Sequence, residues 1–274
     1  MKIKYSFIGV GNIARAFLGA MNTLEGKLAC DPSDIFLFDK NSSQTEEFKK
    51  SGYVITNSIF ECINASDYVF LCVKPQNYRE VLSEIKNSKI HLTGKTFVSV
   101  AAGISTKQIC ECIGTDVAVI RTMPNTPLTI GQGVCAACRN EMVSSKAFER
   151  VCRIISSKAE LLILDESKMN AIIGITGSSP AYVYRFIDAI SDSAIKQGLD
   201  DPKILSAICK VFIGSAMMVL ESKKDIKDLI SAVRSPNGTT EKALEIFDSL
   251  DIDSIIDKAI IACNERADTL GEEM

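Results

Sequence analysis

The chain has one histidine in 274 residues, and that residue, His91, lies in the polar stretch NSKIHLTGK. Oxidation of an alcohol or hydroxy acid wants a positioned base, and this sequence offers no well-placed imidazole for it. Cys110 and Cys112 lack a second pair at zinc-ligand spacing, so no metal site is expected. Also missing is any uncharged apolar run near the ~18 residues that a membrane span needs. The richest run, AICKVFIGSAMMVL, is shorter and carries Lys210. The 31 Lys and Arg are scattered among 34 Asp and Glu, with a formal charge of -3, which leaves no electrostatic footprint for nucleic acid. Low-complexity linkers and internal repeats are absent too. Near the N-terminus, Gly9, Gly11, Asn12 and Arg15 interrupt the apolar residues before a signal-peptide core is complete, so a cytoplasmic location is the expectation.

Against these absences, 46% apolar residues are ample for a buried core. Most of the ten cysteines fall inside apolar runs, where the thiol acts as a small hydrophobe. The single CxxC, Cys135 to Cys138, lies in the strand-like GVCAACRN. Residues three apart on a strand face opposite ways, so these two thiols should pack in the core and hold no metal.

Two regimes of periodicity divide the chain. Over residues 1–165, short β-rich runs (KYSFIGV, IFLFD, YVFLCV, TFVSVAA, VAVIRTM, GVCAAC, ELLILD) alternate with helical patterns. This alternation predicts an α/β domain with a doubly wound, mostly parallel sheet, and the continuous apolar character of YVFLCV suits a strand buried on both faces. Over residues 166–274 the strand signal ends and an all-α region follows. The stretch from Ile204 to Leu220 is apolar nearly all round and must be covered, which predicts a homodimer built through the C-terminal helices.

The first motif with chemistry is FIGVGNIARAF, a strand running through Gly9-Val10-Gly11-Asn12-Ile13-Ala14 into a helix. Gly9 permits the tight turn, Gly11 admits a pyrophosphate close to the backbone, and Ala14 lets the helix pack on the strand. The helix-start amides would then hold the phosphates. The second strand ends at Asp39 and Lys40. An acid there favours the free 2'-hydroxyl of NAD, a base the 2'-phosphate of NADP, and both are present. Further strand ends carry Lys74-Pro75, Ala101-Ala102-Gly103 and Met123-Pro124-Asn125, so a cleft for a dinucleotide along this edge is expected.

Taken in order, FIGVGNIA, VKP, RTMPNTP, ITGSSPAYVYRFIDA and SPNGTTEKAL resemble pyrroline-5-carboxylate reductases, from Phe7 to beyond Leu244. The resemblance implies a Rossmann-type N-terminal domain and an all-α C-terminal dimerisation domain. It implies reduction of 1-pyrroline-5-carboxylate to L-proline by NADPH, with NADH possible, in dimers that assemble into a ring, often a decamer. It also makes Ser178, Ser235, Gly238, Thr239 and Thr240 substrate-binding, with the Thr240 hydroxyl on the ring nitrogen as the catalytic contact. Reduction of a protonated imine requires no metal and no strong base, which agrees with the sparse histidine.

Read from the residues alone, SPNGTT is a turn into a helix near Glu241, with the amides of Gly238, Thr239 and Thr240 turned outward to hold a carboxylate. Gly177, Ser178 and Ser179 are expected to interrupt one helix before Pro180 starts the next. Asn237 stands where glycine is common in the family, and asparagine tolerates positive φ. A β-hydroxyacid dehydrogenase would share the fold, but its catalytic lysine has no counterpart in SSPAYVYRFIDAI. A non-catalytic dinucleotide-binding protein would have no reason to combine SPNGTT with TGSSP.

Overall fold

The computed structural model describes residues 2–26, 30–88 and 90–273. Its chain forms two compact units, one running through Pro180 and resuming at Ile261, the other spanning Ala181–Ile260. The change of periodicity after residue 165 falls within the first of these units.

In the first unit the described residues form an eight-stranded sheet: β1 (Tyr5–Ile8), β2 (Ile35–Phe38), β3 (Val54–Ile55), β4 (Tyr68–Leu71), β5 (Thr96–Ser99), β6 (Ala118–Pro124), β7 (Gly133–Arg139) and β8 (Ala159–Ile163). The order is β3-β2-β1-β4-β5-β6-β7-β8, parallel except between β6 and β7. Helices α1 (Asn12–Met21), α2 (Glu46–Lys50), α3 (Ile59–Ala65), α4 (Tyr78–Asn87), α5 (Thr106–Ile113) and α6 (Ser145–Ser156) connect the strands. Alternation along the strands divides the core. Phe7 stacks on Phe70 with ring centroids 4.5 Å apart, in a cluster with Phe17 of α1 and Ile154 of α6. Ile8 and Leu71 face the other way, toward Ile63, Leu82 and Ile109 of α3, α4 and α5. Cys135 joins the first cluster and Cys138 a third on the opposite face, as the strand period requires.

Two features of the sheet differ from the sequence reading. Strand β3, just two residues long, is too short to display an alternation. The β6–β7 pair is antiparallel because its connection, a single-turn helix at Thr126–Ile130 and then Gly131 with φ of 74°, is shorter than the roughly 10–12 residues of a crossover. Asn125 fastens this hairpin: its N–H donates to the Val134 carbonyl at 3.1 Å, and its Oδ1 accepts from the Val134 N–H at 2.9 Å.

Beyond β8 the chain is helical: a π turn at Ile173–Gly177, then α7 (Ser179–Lys196), α8 (Lys203–Glu221), α9 (Ile226–Val233), α10 (Thr239–Ser249) and α11 (Ile252–Glu272). The expected break falls at Ser178, between a π turn that ends at Gly177 and α7, which starts at Ser179. The Ser178 N–H donates to the Ile173 carbonyl five residues back, and Ser178 keeps helical torsions. None of the 19 residues of α8 is buried; Val211 is 65% exposed and Leu220 78%. By length and composition α8 is the one described helix that could cross a membrane, spanning ~28 Å at 1.5 Å per residue. Its 19 residues exceed the shorter run measured in the sequence.

In the first unit the last turns of α11 pass very close to the β5–α5 loop. A Cβ on Gly103 would stand 2.0 Å from the Ala267 carbonyl oxygen, and one on Gly271 would stand 2.4 Å from that of Gly103. Gln108 Nε2 ties the two segments by donating to the Gly271 carbonyl at 2.6 Å.

Candidate active site

The parallel strands β1, β2, β4, β5 and β6 finish at one edge of the sheet. Gly9 follows β1 with φ of 88°, and a Cβ there would fall 2.9 Å from the Cys72 carbonyl and the Val73 nitrogen. Only glycine fits that turn. Gly11, the N-cap of α1, has nothing within 4 Å of a Cβ position, so its flank is open. Helix α1 has neither a side-chain cap nor an acid in its first turn, which leaves the positive end of its dipole to an anion. This open cradle fits the pyrophosphate of a dinucleotide.

A cavity of about 400 Å³ brings together Gly9, Gly11, Asp39, Lys40 and Lys74 among the candidate cofactor residues. Val10 and Ala14 are buried behind the cradle, and Asn12 and Ile13 open α1. Pro75 starts the short turn that leads into α4, while Ala101 and Ala102 follow β5. Asp39 is engaged with the backbone: Oδ2 accepts the Val10 N–H at 2.7 Å and Oδ1 the Asn41 N–H at 2.9 Å. Lys40 Nζ is paired with Glu80 Oε1 at 2.7 Å, across from β2 on α4. Sequence reading missed Glu80, because an acid in the first turn of a helix is ordinary.

Met123 and Asn125 meet the π turn. Asn125 Nδ2 donates to the Thr176 carbonyl at 3.1 Å, and a Cβ on Gly177 would stand 2.7 Å from Met123 Cε. Pro124 ends β6 between them. The Cys263 thiol donates to Ser178 Oγ at 3.2 Å, and Asn264 Oδ1 accepts the Gly174 N–H at 2.9 Å. Thus the RTMPN and TGSSP segments are packed together in the first unit, as a π turn at a functional site often is.

Beneath them lies a buried arginine that sequence reading left without a role. Arg121 donates to Asn170 Oδ1 and faces Glu166 at 3.8 Å, Glu166 accepts from the Thr106 N–H and hydroxyl at 2.6 Å each, and Asn170 Nδ2 donates to Asp268 at 2.6 Å. Burial lowers the Arg121 pKa, while Cys138, Glu166 and Asp268 act to raise it. A charge inside the strand-like run VAVIRTM was the available signal.

The second unit carries the SPNGTT turn. The Gly238 N–H donates to the Ser235 carbonyl at 2.9 Å, and Asn237 has φ of 56°. The tolerance of asparagine for this region is therefore used. A Cβ on Gly238 would lie 2.9 Å from the same Ser235 oxygen. Helix α10 starts at Thr239, two residues earlier than expected, with Gly238 as its N-cap and no threonine capping it. Glu241 reaches back instead, accepting from the Asn237 N–H at 2.8 Å and from Arg234 Nε at 3.3 Å. Of the three amides expected to face outward, that of Gly238 is taken and those of Thr239 and Thr240 remain. Among the described residues no acceptor faces the N–H of Thr239 or Thr240.

A glycine-cradled cleft at the edge of a parallel sheet, followed by helices, is the build of a dinucleotide-dependent oxidoreductase. Residues 166–270 match the family model for pyrroline-5-carboxylate reductase dimerisation, and residues 4–103 match that for coenzyme F420-dependent NADP oxidoreductases. Pyrroline-5-carboxylate reductase of Escherichia coli K12 is 31% identical, aligned over 99% of this chain and all of the relative. The Plasmodium falciparum pyrroline carboxylate reductase structure with NADP bound superposes with a TM-score of 0.86 at 26% identity, covering 99% of each chain. That of the Streptococcus pyogenes 1-pyrroline-5-carboxylate reductase gives 0.87 at 26% identity, over 97% of this chain and 98% of the other. The chain belongs to the pyrroline-5-carboxylate reductase family.

Proposed function

We propose that the protein reduces the C=N bond of 1-pyrroline-5-carboxylate to L-proline, the last step of proline biosynthesis, with NADPH as hydride donor. One observation carries the reading furthest: on a chain of this family, the start of α10 presents two amides without acceptors beside the half-buried Thr240. Those amides and the helix dipole are suited to a carboxylate, and no cationic side chain is needed for it. The Thr240 hydroxyl is assigned to the ring nitrogen, and the Ser178, Ser235, Gly238 and Thr239 positions to the rest of the substrate. When bound, the reduced nicotinamide supplies the hydride. The protonated imine becomes an amine by that addition alone, so the protein's task is to orient and to exclude water.

In the first unit, Gly9, Val10, Gly11, Asn12, Ile13 and Ala14 are assigned to the pyrophosphate. Asp39, Lys40, Lys74 and Pro75 are assigned to the adenosine half, and Ala101, Ala102, Met123, Pro124 and Asn125 to the nicotinamide half. The bound NADP of the Plasmodium relative supports NADPH, and NADH is the second donor to test. The exposed apolar helices of the second unit support a homodimer, with the bilayer-length α8 covered by a second copy rather than by lipid. A ring of such dimers follows from the family resemblance. No disulfide joins two of the described cysteines, which supports a reducing cytoplasm.

The purified protein should consume NADPH or NADH when given 1-pyrroline-5-carboxylate and should form proline; background consumption with both donors would end this reading. Thr240→Ala should lower turnover at nearly unchanged cofactor affinity. If that variant lost nucleotide binding instead, Thr240 would be a structural residue.

A further inference from the structure

The cofactor cavity contains an ion pair with consequences for donor choice. Lys40, at the end of β2, and Glu80, in the first turn of α4, both line it and meet at 2.7 Å. Asp39, the other residue bearing on the adenosine ribose, has each carboxylate oxygen on a backbone N–H, of Val10 and of Asn41. Asp39 is thereby a staple for the glycine loop. Two cations line the cavity, Lys40 and Lys74; Lys40 is the one at the end of β2, where the adenosine ribose is expected, and Glu80 already holds it. The neighbouring Glu84 adds a weaker pull on the same ammonium.

We infer that Glu80 is a specificity-determining residue, which restrains the preference for NADPH over NADH by holding Lys40. The inference rests on the nucleotide-binding reading proposed above. A 2'-phosphate must draw Lys40 away from Glu80 or share it, whereas a 2'-hydroxyl asks nothing of the pair. Both side chains are 63% exposed, so the restraint is modest. An exposed pair of this kind shifts a dissociation constant by at most about fivefold.

The test is direct binding, with NADPH and NADH each titrated by their own fluorescence into the full-length wild type, Glu80→Gln, Lys40→Gln and the double variant. Glu80→Gln should raise the ratio Kd(NADH)/Kd(NADPH) by about two- to fivefold at low salt, through tighter NADPH. In the Lys40→Gln background the same change should move the ratio by less than about 1.5-fold, because little remains to be released. An unchanged ratio in Glu80→Gln would overturn the inference. So would an equal rise with and without Lys40, which would make Glu80 a direct repeller of phosphate. Should the wild type bind neither nucleotide, the nucleotide-binding reading itself fails, a result distinct from both.

Discussion

Gly103→Ala separates two costs that a glycine can conceal. Its φ of 79° is left-handed, and alanine there costs about 1–2 kcal/mol from the backbone alone. The added Cβ would also stand 2.0 Å from the Ala267 oxygen, 3.0 Å from its carbonyl carbon and 3.3 Å from the Gly271 nitrogen. All three are backbone atoms and cannot rotate aside. The last turns of α11 must retreat by about 1 Å or more to restore a normal contact, and overpacking of this kind costs about 1–3 kcal/mol. The total is about 2–5 kcal/mol. Gly94→Ala supplies the control, since Gly94 has φ of 80° and nothing within 4 Å of its Cβ position. It should cost the backbone part alone, about 1–2 kcal/mol. Urea unfolding of the two variants, followed by far-ultraviolet circular dichroism, reads the difference as the close approach itself. Unfolding free energies of Gly103→Ala and Gly94→Ala that agree within about 0.5 kcal/mol would refute the packing of α11 on this loop.

Four other outcomes follow from the described geometry. Asp39→Asn places an amide group where two N–H donors need acceptors; it should cost about 1–3 kcal/mol and weaken NADPH and NADH alike, and a change of their ratio at intact stability would contradict the staple role. Burial pushes the Cys62 and Cys138 thiols up to about 12, so native protein at pH 8 should leave both unlabelled by a disulfide reagent when mapped by mass spectrometry. The same raised values mean that stability is complete below the unfolded thiol pKa, about 8.5, and falls as pH rises from there toward 12; a denaturation midpoint that holds level over that range would count against it. Val211→Glu on the exposed face of α8 should shift sedimentation from dimer to monomer at micromolar concentration, and an unchanged dimer would place the interface elsewhere.

What the sequence disclosed depended on how local the cause was. The cradle was legible because Gly9 and Gly11 act through their own torsions and immediate surroundings. Asn237 was legible in the same way, from its own tolerance of positive φ. The break in the GSSP segment was legible from its small residues and proline, but the π turn before it was not, since the contact of Gly177 with Met123 that accompanies it is long-range. The outward amides were overcounted by one because the Ser235–Gly238 turn closes on itself. Lys40 with Glu80, and Arg121 with Glu166 and Asn170, are pairings across 40 or more residues, and no spacing rule reaches them. The antiparallel β7 was open to prediction from loop length, a measure that strand composition does not contain.

The course of α11 has a consequence for synthesis. Gln108 finds its partner, Gly271, 163 residues later in the chain, with the whole second unit translated in between. At common elongation rates the sheet would wait roughly 10–30 s on the ribosome with its β5 loop unsupported. The nucleotide cleft, although first to emerge, is then among the last parts of the protein to mature. A nascent chain arrested before Ile261 should gain the secondary structure of the sheet well before it can retain a dinucleotide.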